Sequence, residues 1–173
     1  METIKNNINK PMVLIGMMGA GKTTIGELLA KKHDLSWVDT DRSIESTSGQ
    51  DIPEIFEIYG EQYFRQLESK ALENALASSQ VISSGGGMVT VDANHRLLKD
   101  AYVIYLKANI ETLVARLPVT NRPLLKNVDV YTKLTSLLEN RAELYEKNAN
   151  LIIETDNLSP DDVVEVIEQK ISS

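Results

Sequence analysis

Four apolar residues, Met12-Val-Leu-Ile15, run directly into Gly16-Met-Met-Gly-Ala-Gly21-Lys22-Thr23, and Ile25, Leu28 and Leu29 follow at helical spacing. The middle segment fits G-x-x-x-x-G-K-[ST], a phosphate-binding loop, and a strand before it with a helix after it is the context in which that pattern works. Glycines let successive backbone N–H groups turn inward on phosphates. Lys22 supplies a point charge for the β- and γ-phosphates, and the Thr23 hydroxyl can ligate Mg²⁺. Gly19, Ala20, Gly21, Lys22, Thr23 and Thr24 make up the expected nucleotide-binding stretch.

The remaining chain alternates in the same way. Residues 35–38 read as a second strand ending on acidic residues, and 52 to about 76 as a helix interrupted near Gly60. A third strand starts at Val81-Ile82, residues 91–98 read as helix, 102–106 as strand and 110–117 as helix. Residues 118–127 hold two prolines and no clear period, so a mobile loop is expected there. A helix over about 129–147 and a strand over 151–153 follow. Ser159-Pro160-Asp161-Asp162 opens the last helix with a hydroxyl cap, a proline at the first position and acidic residues at the positive helix end. Val163, Val164, Ile167 and Ile171 form its buried stripe. Five short apolar strands separated by helices imply an α/β fold, a parallel sheet covered on both faces, with ligands at the carboxyl ends of the strands.

With 173 residues, 42% apolar and 25% charged, one globular domain spanning 1–173 is expected. Residues 1–10 have no apolar export segment and no later stretch reaches membrane-spanning length, so neither export nor a membrane partner is expected. The absence of cysteine excludes disulfides and thiolate metal sites and suits the cytoplasm. A net charge of −7 argues against general nucleic-acid binding. An anionic ligand must therefore meet local positive charge, and only six arginines exist to supply guanidinium groups: 42, 65, 96, 116, 122 and 141.

Asp39-Thr-Asp41 follows the second strand, and strand alternation would send both carboxylates to the mouth of the sheet, one for metal and one for substrate. The competing reading is a helix cap. Arg141 continues the apolar stripe Val130, Leu134, Leu137 and Leu138, so its guanidinium should project inward, either to a ligand or to an internal salt bridge. Arg65 lies four residues after Glu61 and three before Glu68, a spacing that reads as a solvated surface ion pair. Phe56 and Phe64 read as core, and His33 and His95 have no motif partners.

The phosphate loop and Asp39-Thr-Asp41 combine with Phe56-Glu-Ile-Tyr-Gly60-Glu61-Gln-Tyr-Phe64-Arg65-Gln-Leu-Glu68, Ser83-Ser-Gly85-Gly86-Gly87, Asn121-Arg122-Pro-Leu-Leu125 and Arg141-Ala-Glu-Leu-Tyr145. Together they resemble shikimate kinase along nearly the whole chain. The resemblance implies a three-layer α/β/α P-loop kinase fold of the nucleoside-monophosphate-kinase-like class, with a five-stranded parallel sheet and a mobile lid at about 117–127. It implies transfer of the γ-phosphoryl group of ATP to the 3-hydroxyl of shikimate, on the route to chorismate and the aromatic amino acids, with Mg²⁺ as cofactor and a monomer as the working unit.

By the same resemblance Asp41 holds the acceptor hydroxyls and serves as base or orienting group, and Asp39 joins Thr23 in the Mg²⁺ shell. Arg65 and Arg141 bind the shikimate carboxylate, Gly86 offers its backbone N–H, and Glu68 orients Arg65. Arg122 closes over the transferred phosphoryl group, and Arg116 and Pro160 flank adenine. Leu158 departs from the family, which often carries a longer polar or basic side chain there. Gluconate kinase, adenylate kinase and a nucleotide-sensing module without turnover are the rival readings. The combination of Asp-x-Asp, the Arg65 segment, the triple glycine and Arg141 favours a carboxylated polyol.

Overall fold

The computed structural model describes residues 9–117 and 129–172. Of the N-terminal segment 1–10 only residues 9 and 10 are among them, and of the lid expected at about 117–127 only Leu117, so Arg122 lies outside the described residues. Among the described residues the chain runs β1 (Met12–Ile15), α1 (Lys22–His33), β2 (Trp37–Asp39), α2 (Thr40–Ser48), α3 (Ile52–Ser78), β3 (Val81–Ser83), α4 (Asp92–Leu97), β4 (Tyr102–Lys107), α5 (Ile110–Arg116), α6 (Val130–Asn148), β5 (Leu151–Glu154) and α7 (Pro160–Ser172). The five strands form one sheet in the order β2-β3-β1-β4-β5, and every pairing is parallel.

The order doubles back about β1, so β1 is central, flanked by β3 and β4, with Leu14 in register with both Ser83 and Ile104. A central parallel strand meets helices on both faces and so loses the polar alternation of an exposed strand. All four residues of β1 are buried, as are all three of β3 and the inner four of β4. β5 lies at the sheet edge and alternates, leaving Ile152 exposed. Helices α1 and α7 pack against each other, as do α5 and α6. The expected stripe of α7 is buried through Val163, Val164 and Ile167.

A second, smaller apolar cluster forms away from the sheet. Ile44 of α2 packs with Ile55 and Phe64 of α3, flanked by Ile52, Phe56, Leu67 and Ala71. α3 starts on a capping box, in which the Asp51 side chain accepts from Glu54 N at 2.8 Å and the Glu54 side chain accepts from Asp51 N at 3.2 Å. The expected interruption is present at Gly60, whose φ of 81° and ψ of 172° kink the helix. Residues on both sides of the kink, Ile55 before it and Phe64 after it, join the small cluster, and further along the helix Leu72 and Ala75 enter the main core.

Three boundaries differ from the sequence reading. The second strand is Trp37–Asp39, displaced toward the acidic pair, and Leu35 is instead tied to the end of α1, its N–H donating to the Ala30 carbonyl at 2.9 Å. The helix expected over 91–98 is shorter and tightens into a 3₁₀ turn at Leu98–Asp100. Helix α2 is absent from the periodic reading and enters only through the competing cap reading of the acidic pair. Asp41 sits in its first turn, so strand alternation is not what aims that carboxylate.

Candidate active site

The phosphate loop bridges β1 and α1. Gly19 has φ +84°, a left-handed conformation, and a Cβ there would lie 2.8 Å from the Leu113 carbonyl oxygen, so both backbone and space demand glycine. Gly21 is the N-cap of α1 and leaves the helix's first N–H groups without a side-chain cap, which suits an anion. Lys22 is buried, and its Nζ donates to the carbonyls of Gly16 at 2.8 Å and Met17 at 2.9 Å. The ammonium is thereby held folded over the loop.

The cap reading of the acidic pair holds for Asp39, whose two oxygens have different partners. Oδ1 caps α2, accepting from Asp41 N at 3.0 Å and Arg42 N at 3.2 Å. Oδ2 accepts from the Thr23 hydroxyl at 2.6 Å. Two protein oxygens thus meet beside the phosphate loop. That sparse donor set fits Mg²⁺, which keeps most of its waters and takes one or two protein oxygens plus phosphates.

The other side of the site is built on the triple glycine after β3. Contrary to the solvated reading, the Arg65 side chain is only 12% exposed. Its Nη1 donates to Glu68 Oε2 and its Nη2 to Glu61 Oε1, the latter at 2.8 Å. Glu68 is buried, and its other oxygen, Oε1, has no hydrogen-bond partner among the described residues. Burial pushes the Glu68 carboxyl above the usual carboxylate range, against the opposing pull of Arg65 and Arg141.

Gly85 and Gly87 make room for this pair. A Cβ on Gly85 would lie 2.1 Å from Glu68 Oε1 and 2.8 Å from Asp41 Oδ1, and one on Gly87 would lie 2.2 Å from Arg65 Nη1. The middle glycine faces the phosphate loop, 3.3 Å from Met18 N by the same measure. Arg141 projects from α6 as expected and is buried, its Nη1 donating to the Gly86 carbonyl at 3.3 Å. No salt bridge joins it to a carboxylate among the described residues.

One cavity of about 640 Å³ gathers these parts. Its walls include Gly19 to Thr24, Asp39, Asp41, Arg65, Glu68, Gly86 and Arg141. At its far end lie Arg116, Thr155, Leu158 and Pro160. Arg116 is fixed there by donating to the Thr155 hydroxyl at 3.0 Å and the Thr155 carbonyl at 2.7 Å. Every candidate site residue within the described chain therefore lines a single cleft, and Arg122 lies outside the described residues.

The cleft also holds residues that motif reading passed over: Arg42, Glu45, Ile52 and Pro53. Arg42 stacks over the Trp37 ring at 5.4 Å from its centroid. Its place follows from the cap on Asp39, which starts α2 at once and turns its first residues toward the cleft. Phe64 is buried as expected, Phe56 is only partly so, and the two rings, with centroids 4.8 Å apart, both reach the cavity wall. His33 pairs with Glu168 at 2.7 Å and His95 bonds the Val89 carbonyl at 2.6 Å, so neither reaches the cleft.

The family model for shikimate kinase matches residues 18–172. The chain belongs to the shikimate kinase family. It is 44% identical over 171 residues to the shikimate kinase of Dehalococcoides mccartyi, an alignment covering 97% of this chain and 94% of that protein. The shikimate kinase of Acinetobacter baumannii, solved in complex with shikimate, superposes with a TM-score of 0.92 at 36% identity, covering 98% of this chain and 97% of the other. Deoxyadenosine kinase from M. mycoides, at 18% identity and a TM-score of 0.62, shares the fold. The family's fold is the expected P-loop kinase arrangement, and its members are ATP-dependent phosphotransferases.

Proposed function

We propose that this chain transfers the γ-phosphoryl group of ATP to the 3-hydroxyl of shikimate, releasing ADP and shikimate 3-phosphate. The carrying observation is that two deeply set guanidinium groups, on Arg65 and Arg141, share one cleft with the phosphate loop. In a chain of net charge −7, such a concentration of positive charge suits a small carboxylated acceptor facing a nucleotide.

Phosphoryl transfer needs little covalent help from protein, so position and charge do most of the work. Backbone N–H groups over Gly19 to Thr24 and the Lys22 ammonium receive the phosphates. Arg116 and Pro160 border adenine, with Leu158 as an apolar wall beside them. Arg65 and Arg141 hold the carboxylate, and Gly86 lines the ring. Asp41 orients the attacking hydroxyl and accepts its proton. Thr23 and Asp39 would hold Mg²⁺, which neutralises phosphate charge when bound. Arg122, outside the described residues, is assigned to the developing charge on the transferred group. The same reading takes the chain to be a cytoplasmic monomer, one kinase domain acting on two small molecules.

The test is ADP release with ATP and Mg²⁺ in the presence of shikimate, gluconate or AMP. Stimulation by shikimate alone is expected. Equal stimulation by gluconate or AMP would reassign the acceptor.

A further inference from the structure

Helix α6 carries Tyr145 four residues after Arg141, on the same helical face. Its side chain is fully buried, and its hydroxyl donates to the Gly86 carbonyl, the same oxygen that accepts from Arg141 Nη1 at 3.3 Å. A carbonyl oxygen has two lone pairs, so both donors fit at once. The Tyr145 ring stacks on Tyr105 of β4 with centroids 5.0 Å apart and planes 24° apart, which fixes where the hydroxyl points. That hydroxyl also lies 3.6 Å from the Met17 sulfur in the phosphate loop. Burial pushes the phenol far above its usual range, so it remains a donor at every working pH.

We propose that Tyr145 is a positioning residue for the acceptor site: its hydroxyl pins the Gly86 carbonyl, and through that shared oxygen it sets both the glycine turn and the direction of the Arg141 guanidinium. The inference rests on the assignment of this cleft to shikimate. Arg141 has the longer hold on Gly86. Without the tyrosine donor, the Gly86 peptide gains freedom to rotate and Arg141 loses a fixed partner. The nucleotide end of the cleft is built mainly on α1, α5 and α7, and the Tyr145 hydroxyl reaches it only at the weakly bonding Met17 sulfur.

Tyr145→Phe keeps the ring stack and removes only the donor, and Tyr105→Phe removes the other hydroxyl of the stack as a control. Calorimetric titration and steady-state kinetics on the whole chain should show shikimate Kd and KM raised about three- to tenfold in Tyr145→Phe. ADP affinity, ATP KM and kcat should stay within about twofold, and Tyr105→Phe should match wild type. A lowered melting temperature with unchanged shikimate affinity would reduce Tyr145 to a structural residue and overturn the proposal. So would equal losses for shikimate and ADP. If Tyr145→Phe does not fold, the wild type still decides. The buried hydroxyl proton should give a slowly exchanging resonance that moves on adding shikimate and not on adding ADP, and a resonance indifferent to shikimate overturns the role. A wild-type chain that binds ADP but not shikimate would instead sink the substrate assignment, and this proposal with it.

Discussion

The guanidinium of Arg65 rests on the α-carbon of Gly87: a Cβ there would lie 2.2 Å from Nη1 and 2.4 Å from Cζ. Gly87 itself has φ −97° and ψ −2°, a conformation open to any residue, so close approach and not backbone strain excludes a side chain. Gly87→Ala should leave the fold intact and displace Arg65. Shikimate affinity is expected to fall by about tenfold or more, as for loss of a charge-assisted contact, with ADP affinity unchanged. Paired titrations with shikimate and ADP check this, and unaltered shikimate binding would mean that Arg65 does not touch the acceptor.

The metal assignment separates from the capping role of the same side chain. Asp39→Asn retains an oxygen able to cap α2 but loses the charge beside Thr23, whereas Asp39→Ala loses both. Turnover should drop by a factor on the order of 100 in either variant, as it should in wild type on chelation of Mg²⁺. The melting temperature should fall appreciably only in Asp39→Ala. Full activity in EDTA would refute the assignment.

Much of this arrangement was legible in the sequence, for physical reasons. The phosphate loop is local: its glycines, lysine and threonine are contiguous, and so are the strand and helix that flank it. The burial of Arg141 followed from helical period, because the positions before it form an apolar stripe. Arg65 was different. Its neighbours Glu61 and Glu68 have the spacing of an exposed ion pair, and nothing nearby in sequence records that Gly85 to Gly87, brought in by β3, cover the pair from above. Helix α2 is absent from the periodic reading for a similar reason. Its mean character is polar, and its stability comes from the Asp39 cap and from packing Ile44 against α3, contacts that local pattern does not carry.

Asp41 lies in the first turn of α2 with Oδ1 directed at the Gly85 α-carbon, so Asp41→Asn preserves shape and removes charge. A residue that accepts the hydroxyl proton should cost kcat a factor on the order of 100 or more on this change. Rapid-quench turnover measurements with saturating substrates give the comparison. An effect confined to the KM for ATP would contradict the role.

Glu68 makes a pH prediction. Its folded pKa lies above the ordinary value of 4.5 because burial outweighs the attraction of Arg65. The folded state therefore binds this proton more tightly than the unfolded chain does. Its stabilising contribution is complete below pH 4.5 and is lost as pH rises through the folded pKa. The stability of wild type minus that of Glu68→Gln, from urea melts at successive pH values, should thus decrease with rising pH across that window and then level off. A difference that grows with pH would mean that Arg65 holds the carboxylate below its ordinary range instead.

The substrate assignment turns on why the two deep cations are arginines. Arg65 comes from α3 and Arg141 from α6, and both are held at the cleft by defined partners, Glu61 and Glu68 for the first and the Gly86 carbonyl for the second. A guanidinium grips a carboxylate through paired parallel bonds while still bonding elsewhere, and lysine offers a single point charge on a flexible stem. Lysine at 141 would reach either Gly86 or the ligand, and lysine at 65 would lose one of its two glutamates. Arg141→Lys and Arg65→Lys should each raise the KM for shikimate several-fold, with the KM for ATP little changed. Melting temperatures decide between this and a purely structural role, because a buried cation that merely holds α6 in place would show its loss as lower stability without a selective effect on shikimate. Wild-type shikimate affinity in both variants would overturn the carboxylate clamp and with it the choice of acceptor.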